Sequence, residues 1–305
     1  MATASEIIAA TDAAQDTPPA PEPYPIANPI VRGSKTLLMG GVGSGKTTAL
    51  VTAIEAGLEL FVCITDPGGQ ESLIAAMDKK NLPMEKLHWH YIASASPSWE
   101  TLLTMAQTIN ALSYQALTEI KQGIEKASYQ QFMQLIVTGA NFIDDRTGEE
   151  FGPVDFWGPD RMFSHDSLSG INTMSYDLMV GAKPIAHQGE YGVAMNAEEK
   201  FIRKCCSDLR CFYTLTAHVD REPDEINLGT RIMVGALGRK LAPKLPKDFS
   251  DVVYTFREGT GYYWSTIAAG IDLKHRLLPL QDKMEPSFIP VVEAWQELTR
   301  LAEVT

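Results

Sequence analysis

Short apolar runs alternate with amphipathic stretches along most of the chain, and the alternation predicts a layered α/β protein. A run at 36–39 leads through glycines into a helical stretch over 46–56. Residues 58–65 read as a second strand and 70–79 as a second helix. At 87–92, His88 and His90 alternate with Trp89 and Tyr91, which suits a strand with one wetter face. Leu102, Met105, Ile109, Leu112, Ala116, Ile120 and Ile124 recur at steps of three and four, predicting one amphipathic helix or two across 97–137. A polar, glycine-containing loop over 139–159 then delivers the chain to a short strand at 161–164 that ends on Asp166 and Ser167. Helical stretches at 173–180 and 195–209 flank a loop of Gln188, Gly189, Glu190 and Tyr191, and 211–216 is a further strand. Beyond a long basic loop, 252–256 and 262–267 pair as a hairpin, and 291–302 reads as a closing amphipathic helix. Strands alternating with helices and ending in a hairpin predict a mainly parallel central sheet, flanked by helices, with an antiparallel C-terminal edge.

Residues 1–29 break this pattern. Small and acidic residues give way to Pro18, Pro19, Pro21, Pro23, Pro25 and Pro29, which remove ladder donors and favour extended backbone. A disordered acidic tail is expected there, followed by one folded domain over 30–305 with a helical insertion at about 97–160. The 305 residues permit two domains, but one elaborated sheet accounts for them. An apolar content of 45% and a charged content of 21% match soluble globular chains and exclude fibrous or wholly disordered ones. The formal charge of −12 excludes a surface that coats nucleic acid, since that grip comes from Lys and Arg, and leaves only local contact. Cys63, Cys205, Cys206 and Cys211 have no paired spacing, so neither disulfides nor a zinc site is expected, but reduced buried thiols in a cytoplasmic protein. No apolar stretch approaches the ~18 residues of a membrane helix, and no Lys or Arg precedes Arg32 to form a signal or transit peptide. No membrane partner is expected.

The strongest chemical signal is Gly40, Gly41, Val42, Gly43, Ser44, Gly45, Lys46 and Thr47, a complete G-x-x-x-x-G-K-T followed by Thr48. Glycines let such a loop wrap a phosphate with its backbone N–H groups pointing inward, and the helix that follows adds its positive end. Lys46 would reach the β- and γ-phosphates, and the Thr47 hydroxyl would ligate Mg²⁺. The loop lies between an apolar strand and a helix, the context the motif requires. A phosphate loop also needs a carboxylate at a neighbouring strand end to hold the magnesium shell. Asp166 is the candidate; the alternative is that Asp166 or Ser167 only caps the next helix.

At this point the chain resembles the RecA-like P-loop ATPases, and within them the phage-encoded ATP-binding proteins related to single-strand annealing recombinases. The resemblance covers about residues 30–280. It rests on the phosphate loop, on Thr65-Asp66-Pro67-Gly68-Gly69, on Asp166-Ser167-Leu168-Ser169-Gly170, on Thr216-Ala217-His218, and on Lys274-His275-Arg276. It implies a RecA-like fold with ATP and Mg²⁺ as ligands, Asp166 as the Walker B acid, and His218 as a sensor of the γ-phosphate beside it. A histidine hydrogen-bonded at a strand end is the plainer reading of His218. Where such enzymes carry a water-polarising glutamate after the second strand, this chain has Gly68, with Asp66 and Glu71 as nearby substitutes. Binding of ATP is therefore better supported than its hydrolysis. Lys274 and Arg276 resemble the paired cations that reach a neighbouring subunit's γ-phosphate in oligomeric relatives, which implies a homo-oligomeric ring or filament. The alternative is an exposed basic strand end.

Between 226 and 247 the chain carries Arg231, Arg239, Lys240, Lys244 and Lys247 with no acidic residue, interleaved with Gly229, Gly235 and Gly238. The resemblance places a mobile DNA-contacting loop here, and a flexible positive segment suits a single-stranded backbone. A solvated loop packing Ile232, Met233, Val234 and Leu237 is the other reading. The Gln188–Tyr191 loop is a second candidate contact. The expected function is a Mg-ATP-dependent ATPase acting on single-stranded DNA in phage-type recombination, annealing or replication. Its rivals are an ATP-gated loader or switch with a protein partner in those processes, and a helicase- or packaging-type motor.

Overall fold

The computed structural model describes residues 31–120, 129–181, 183–224 and 229–303, so the expected tail over 1–29 and the last apolar position of the 97–137 series, Ile124, lie outside it. The described part is built on a seven-stranded sheet in the order β11-β10-β1-β7-β6-β2-β3. Its strands are β1 (Lys35–Gly40), β2 (Glu59–Ile64), β3 (Leu87–Tyr91), β6 (Arg161–Asp166), β7 (Phe212–Ala217), β10 (Asp251–Glu258) and β11 (Gly261–Ser265). All neighbours are parallel except β10 and β11, the expected hairpin.

All six residues of β1 are buried, because the strand is central and covered on both faces. Its side chains alternate between two cores. Leu37 and Met39 join Phe163, Leu215 and Val252 on one face, whereas Leu38 joins Val62, Phe212 and Val253 on the other. The first face is covered by α6 (Gln131–Ala140), α7 (Leu168–Val180) and α8 (Gln188–Ser207). The second is covered by α1 (Lys46–Leu50), α2 (Thr52–Glu55), α3 (Gly69–Lys80) and α9 (Ile289–Glu303). Between β3 and β6 lie α4 (Trp99–Ala111) and α5 (Tyr114–Thr118), each capped by a serine side chain, and then α6.

Several segments differ from the sequence expectation. The helix over 46–56 is broken at Val51 into α1 and α2. The loop expected over 139–159 holds the end of α6, a small ribbon of β4 (Phe142–Ile143) and β5 (Glu150–Gly152), and a 3-10 turn at Val154–Phe156. Phe142, Phe151 and Trp157 from this segment pack their rings on Phe61 of β2, a long-range cluster that overrides the polar local composition. The presumed Gln188–Tyr191 loop is the first turn of α8, where Glu190 accepts from the His187 backbone N–H at 2.7 Å and from Lys183 at 2.8 Å. The basic segment is a loop only in part, over 235–244, which holds Arg239, Lys240 and Lys244. It contributes β9 (Gly229–Val234), which pairs antiparallel with β8 (Val219–Asp224), and a 3-10 turn at Leu245–Asp248. With Val219 as its only large apolar residue, β8 carries no strand signal of its own, and only pairing with β9 defines it.

Candidate functional site

Strand register brings the C-terminal ends of β1, β7, β6 and β2 side by side, with Gly40 opposite Thr255, Met39 opposite Ala217 and Ile64 opposite Asp166. The loop after β1 needs its glycines for two separate reasons. A Cβ on Gly40 would stand 2.2 Å from the Thr255 carbonyl oxygen, so only glycine lets β1 close on β10 there. Gly45 holds a φ of 86°, the left-handed region, and turns the chain into α1.

Within this loop the Lys46 amine is buried and donates to the carbonyl oxygens of Gly40 at 3.0 Å and Gly41 at 2.9 Å. Burial pulls its pKa down, and the nearby carboxylates of Asp166 and Asp66 act the other way. Ser44 shares a hydrogen bond of 2.7 Å with Thr255, fixing the loop to β10. Thr47 donates from Oγ1 to Asp166 Oδ2 at 2.7 Å, across 119 residues of sequence. Thr216, on β7, donates to the other oxygen of the same carboxylate. Burial pushes the Asp166 carboxyl pKa up, opposed by the hydroxyls of Thr216 and Thr47. The helix cap and the acid prove to be different residues. Ser167 accepts from the Ser169 N–H at 3.3 Å and caps α7, while the Asp166 carboxylate faces Thr47.

Thr65, just past β2, ties the neighbouring strand end into the same network. Its hydroxyl accepts from the Ser167 N–H at 2.9 Å and donates to the Ser167 carbonyl at 2.8 Å. Together these residues enclose a cavity of about 210 Å³ whose polar lining includes Ser44, Lys46, Thr47, Asp66, Asp166 and His218. His218 follows β7 directly; burial, then the Lys46 charge, lowers its pKa, and its buried Nδ1 has no hydrogen-bond partner among the described residues. Beside the loop lies a second cavity of about 350 Å³, lined by Gly45, Thr48, Thr52, Lys79, Tyr262 and Glu285.

The structure therefore gathers Lys46, Thr47, Thr48, Asp66, Asp166 and His218 at one end of the sheet. Glu71 is not brought in: it lies on the first turn of α3, exposed, outside the cavity lining. Lys274 and Arg276 are not brought in either. Lys274 pairs with Val252, three residues before the β10 position opposite Gly40, and its amine donates to the carbonyls of Lys247 and Phe249. The Arg276 backbone N–H donates to buried Asp251 at 2.8 Å. Of the basic segment, Arg231 pairs with Asp272, Arg239 with Glu222 and Lys244 with Glu199. Lys240 is exposed, and the Lys247 charge helps hold the Glu199 carboxyl low.

Sequence reasoning assigned no individual role to Thr216, Thr65, Thr255 or Tyr262, and gave Ser167 only that of a possible helix cap. Thr65, Ser167 and Thr216 lie in the motifs that carry the resemblance, and Thr65 and Thr216 are also hydroxyl residues at the end of an apolar strand; Thr255 and Tyr262 carry no such signal. Among the described residues no cluster of three or more His, Cys, Asp or Glu could hold a metal ion, and no helix is long and apolar enough to cross a membrane.

No family model matches the chain, and no curated protein does. Among solved structures it is similar to the RadB recombinase, at 12% identity and a TM-score of 0.35, over 82% of this chain and 85% of that one. Identity and score at this level assign no activity to the chain.

Proposed function

We propose that the chain is a RecA-like ATPase that binds Mg-ATP at the Gly40–Thr48 loop. One observation carries the reading: the hydroxyl of Thr47 and the carboxylate of Asp166 are in contact beside the buried amine of Lys46, within one polar cavity at the strand ends. The donor set fits magnesium. Hydroxyl and carboxylate are hard oxygen ligands, and an ion held by one carboxylate plus substrate phosphates needs no separate protein cage. Thr47 and Asp166 would hold the ion, which when bound neutralises charge on the β- and γ-phosphate oxygens.

Lys46 would exchange the two loop carbonyls for phosphate oxygens, a charge-assisted contact in a desolvated setting. Thr216 and Thr65 keep the Asp166–Ser167 segment in register with the loop, so they act as positioning residues. The Nδ1 of His218, which has no partner among the described residues, suits a group that meets the terminal phosphate. Tyr262 and Thr48 would border the nucleoside, since their cavity adjoins the loop at Gly45. Asp66 is the carboxylate within the cavity, besides Asp166, that would orient a water. With no glutamate in that lining, the chain is read as a slow hydrolase.

Action on single-stranded DNA in phage-type recombination, annealing or replication, by a ring or filament of identical chains, is the wider reading. In such an assembly Arg276, exposed and with only its backbone N–H bonded among the described residues, is a better cross-subunit cation than Lys274, whose amine is committed to two carbonyls. The test is ATP turnover with and without single-stranded DNA, alongside mass measurement with and without ATP. DNA-stimulated turnover by an oligomer supports the reading. Tight ATP binding without response to DNA favours a loader with a protein partner, a role consistent with the missing glutamate. Failure to bind ATP refutes both.

A further inference from the structure

Helix α4 is seated with its polar side inward. At 3.6 residues per turn, Trp99, Leu102, Leu103, Ala106 and Ile109 fall on one face, interrupted by Asn110, and Thr101 and Thr108 fall on the other. Thr101 is the one residue of α4 that is buried, and Thr108 is half-buried. The apolar face points to solvent. Trp99 is 88% exposed, Leu103 59%, Ile109 50% and Leu102 41%, as is Leu112 at the end of the helix. The spacing that predicts this helix from the sequence therefore does not mark a core-facing side. A surface helix ordinarily turns its apolar stripe to the core, and an uncovered stripe of this kind marks an interaction site.

Charge and area point to the occupant. Residues 99–118 carry a single charge, Glu100, in a chain whose formal charge is −12. Copies of such a chain repel one another over most of their surface, and this neutral face is where two of them can meet. It also holds no row of acids or bases by which a partner of opposite charge would be selected. At about 200 Å² for a whole large side chain, the five exposed residues uncover roughly 550 Å². Two such faces would bury about 1,100 Å², above the ~1,000 Å² expected of a specific interface.

The order of residues along α4 suits a two-fold contact. Run antiparallel about an axis between Met105 and Ala106, the helix sets Leu102 opposite the partner's Ile109 and Trp99 opposite the partner's Leu112. Small Ala106 at the crossing lets the two backbones approach. The two Glu100 positions then lie about 16 Å apart along the helices at 1.5 Å per residue, beyond the ~8 Å screening length at physiological salt.

We propose that α4 docks on α4 of a second copy, giving an antiparallel two-fold dimer. No residue of α4 lines either loop cavity, so the contact needs no nucleotide, and it is distinct from the head-to-tail contact of a ring or filament. Failure of the dimer leaves the ATP reading standing, and failure of ATP binding leaves the dimer.

Sedimentation of the full chain without ATP should give twice the mass of one chain at micromolar concentrations. Leu103→Glu with Ile109→Glu sets like charges against each other and should raise the dimer dissociation constant about a hundredfold or more. Both positions are exposed, so the circular dichroism spectrum and ATP affinity of that variant should match those of the parent chain. Should the double variant fail to fold, an Ala106→Cys chain decides. Mild oxidation should join it to its copy by a disulfide across the axis, whereas the parent chain, with its cysteines buried or half-buried, should stay unlinked. A single-chain mass throughout, a two-chain mass that the double substitution leaves intact, or no disulfide from Ala106→Cys overturns the proposal.

Discussion

Two lysines mark the two ends of β1, and their environments are alike in most respects. Lys35 opens the strand and Lys46 follows the loop that closes it, and both are buried. Each amine donates to two backbone carbonyls: Lys35 to those of Gly33 at 2.8 Å and Cys211 at 2.5 Å, Lys46 to those of Gly40 and Gly41. Burial lowers the pKa of both. What differs is what lies across from them. The Lys46 charge faces Asp166 and Asp66 over an open cavity, whereas the Lys35 charge faces the thiols of Cys211, Cys206 and Cys205. A buried, perturbed lysine is therefore not itself the mark of a site. Carboxylates and space for a ligand make the difference.

The sharpest way to break this comparison is to remove each amine in turn. Lys46→Ala should weaken ATP binding by about a hundredfold or more, the loss expected for a desolvated charge-assisted contact, measured by calorimetric titration. Its melting temperature should fall less than that of a Lys35 variant, since one of the two carbonyls it frees, that of Gly41, belongs to an exposed residue. Asp166→Asn should lower turnover by a comparable factor while leaving the fold intact by circular dichroism, because one of the Thr47 and Thr216 hydroxyls can still donate to the amide oxygen and the other can turn to accept from the amide N–H.

Lys35→Met should do the reverse. Two carbonyls lose their donor in a closed site, at a cost of about 1–3 kcal/mol, read as a lower denaturation midpoint with ATP affinity unchanged. A third buried ionisable group sharpens the point. Glu198 of α8 accepts from Ser175 at 3.0 Å, its Oε1 has no hydrogen-bond partner among the described residues, and burial pushes its pKa up to about 8. The folded chain thus keeps a proton there to about pH 8, whereas an unfolded glutamate loses it near pH 4.3. Between those values the folded state binds more protons, so this group's contribution to stability falls as pH rises. Glu198→Gln should flatten that decline in urea melts run from pH 5 to 9. The smallest effect is expected for Arg239→Ala with Lys240→Ala, which should weaken single-stranded DNA binding by only a few-fold and reduce its salt dependence.

The parts that were legible in the sequence are contiguous ones. The phosphate loop is eight successive residues between a strand and a helix, and β1, β2, β7 and the β10–β11 hairpin each announce themselves by a short apolar run. Asp166 was legible because an acid closes such a run. The insertion was read less well. Its β4–β5 ribbon depends on Phe142, Phe151 and Trp157 meeting Phe61 of β2, and on the buried Asp144 meeting His88 of β3 at 3.1 Å. The basic segment looked unstructured because β8 is polar, and its cations looked available because their acidic partners, Glu199, Glu222 and Asp272, lie outside the segment.

By itself the sequence determined the class of fold and the location of the glycine loop between β1 and α1, because periodicity and a local motif are properties of neighbouring residues. Only the tertiary structure decided which side chains join the loop. Strand order sets β7 between β1 and β6, so Thr216 and His218 arrive beside Asp166 and Lys46, while an antiparallel bridge to Val252 holds Lys274 three residues short of the β10 position opposite Gly40, with the Arg276 N–H on neighbouring Asp251. Contacts across 50 to 119 residues, such as those of Asp166 with Thr216 and Thr47, depend on which strands are adjacent and in what register, and no local pattern encodes either.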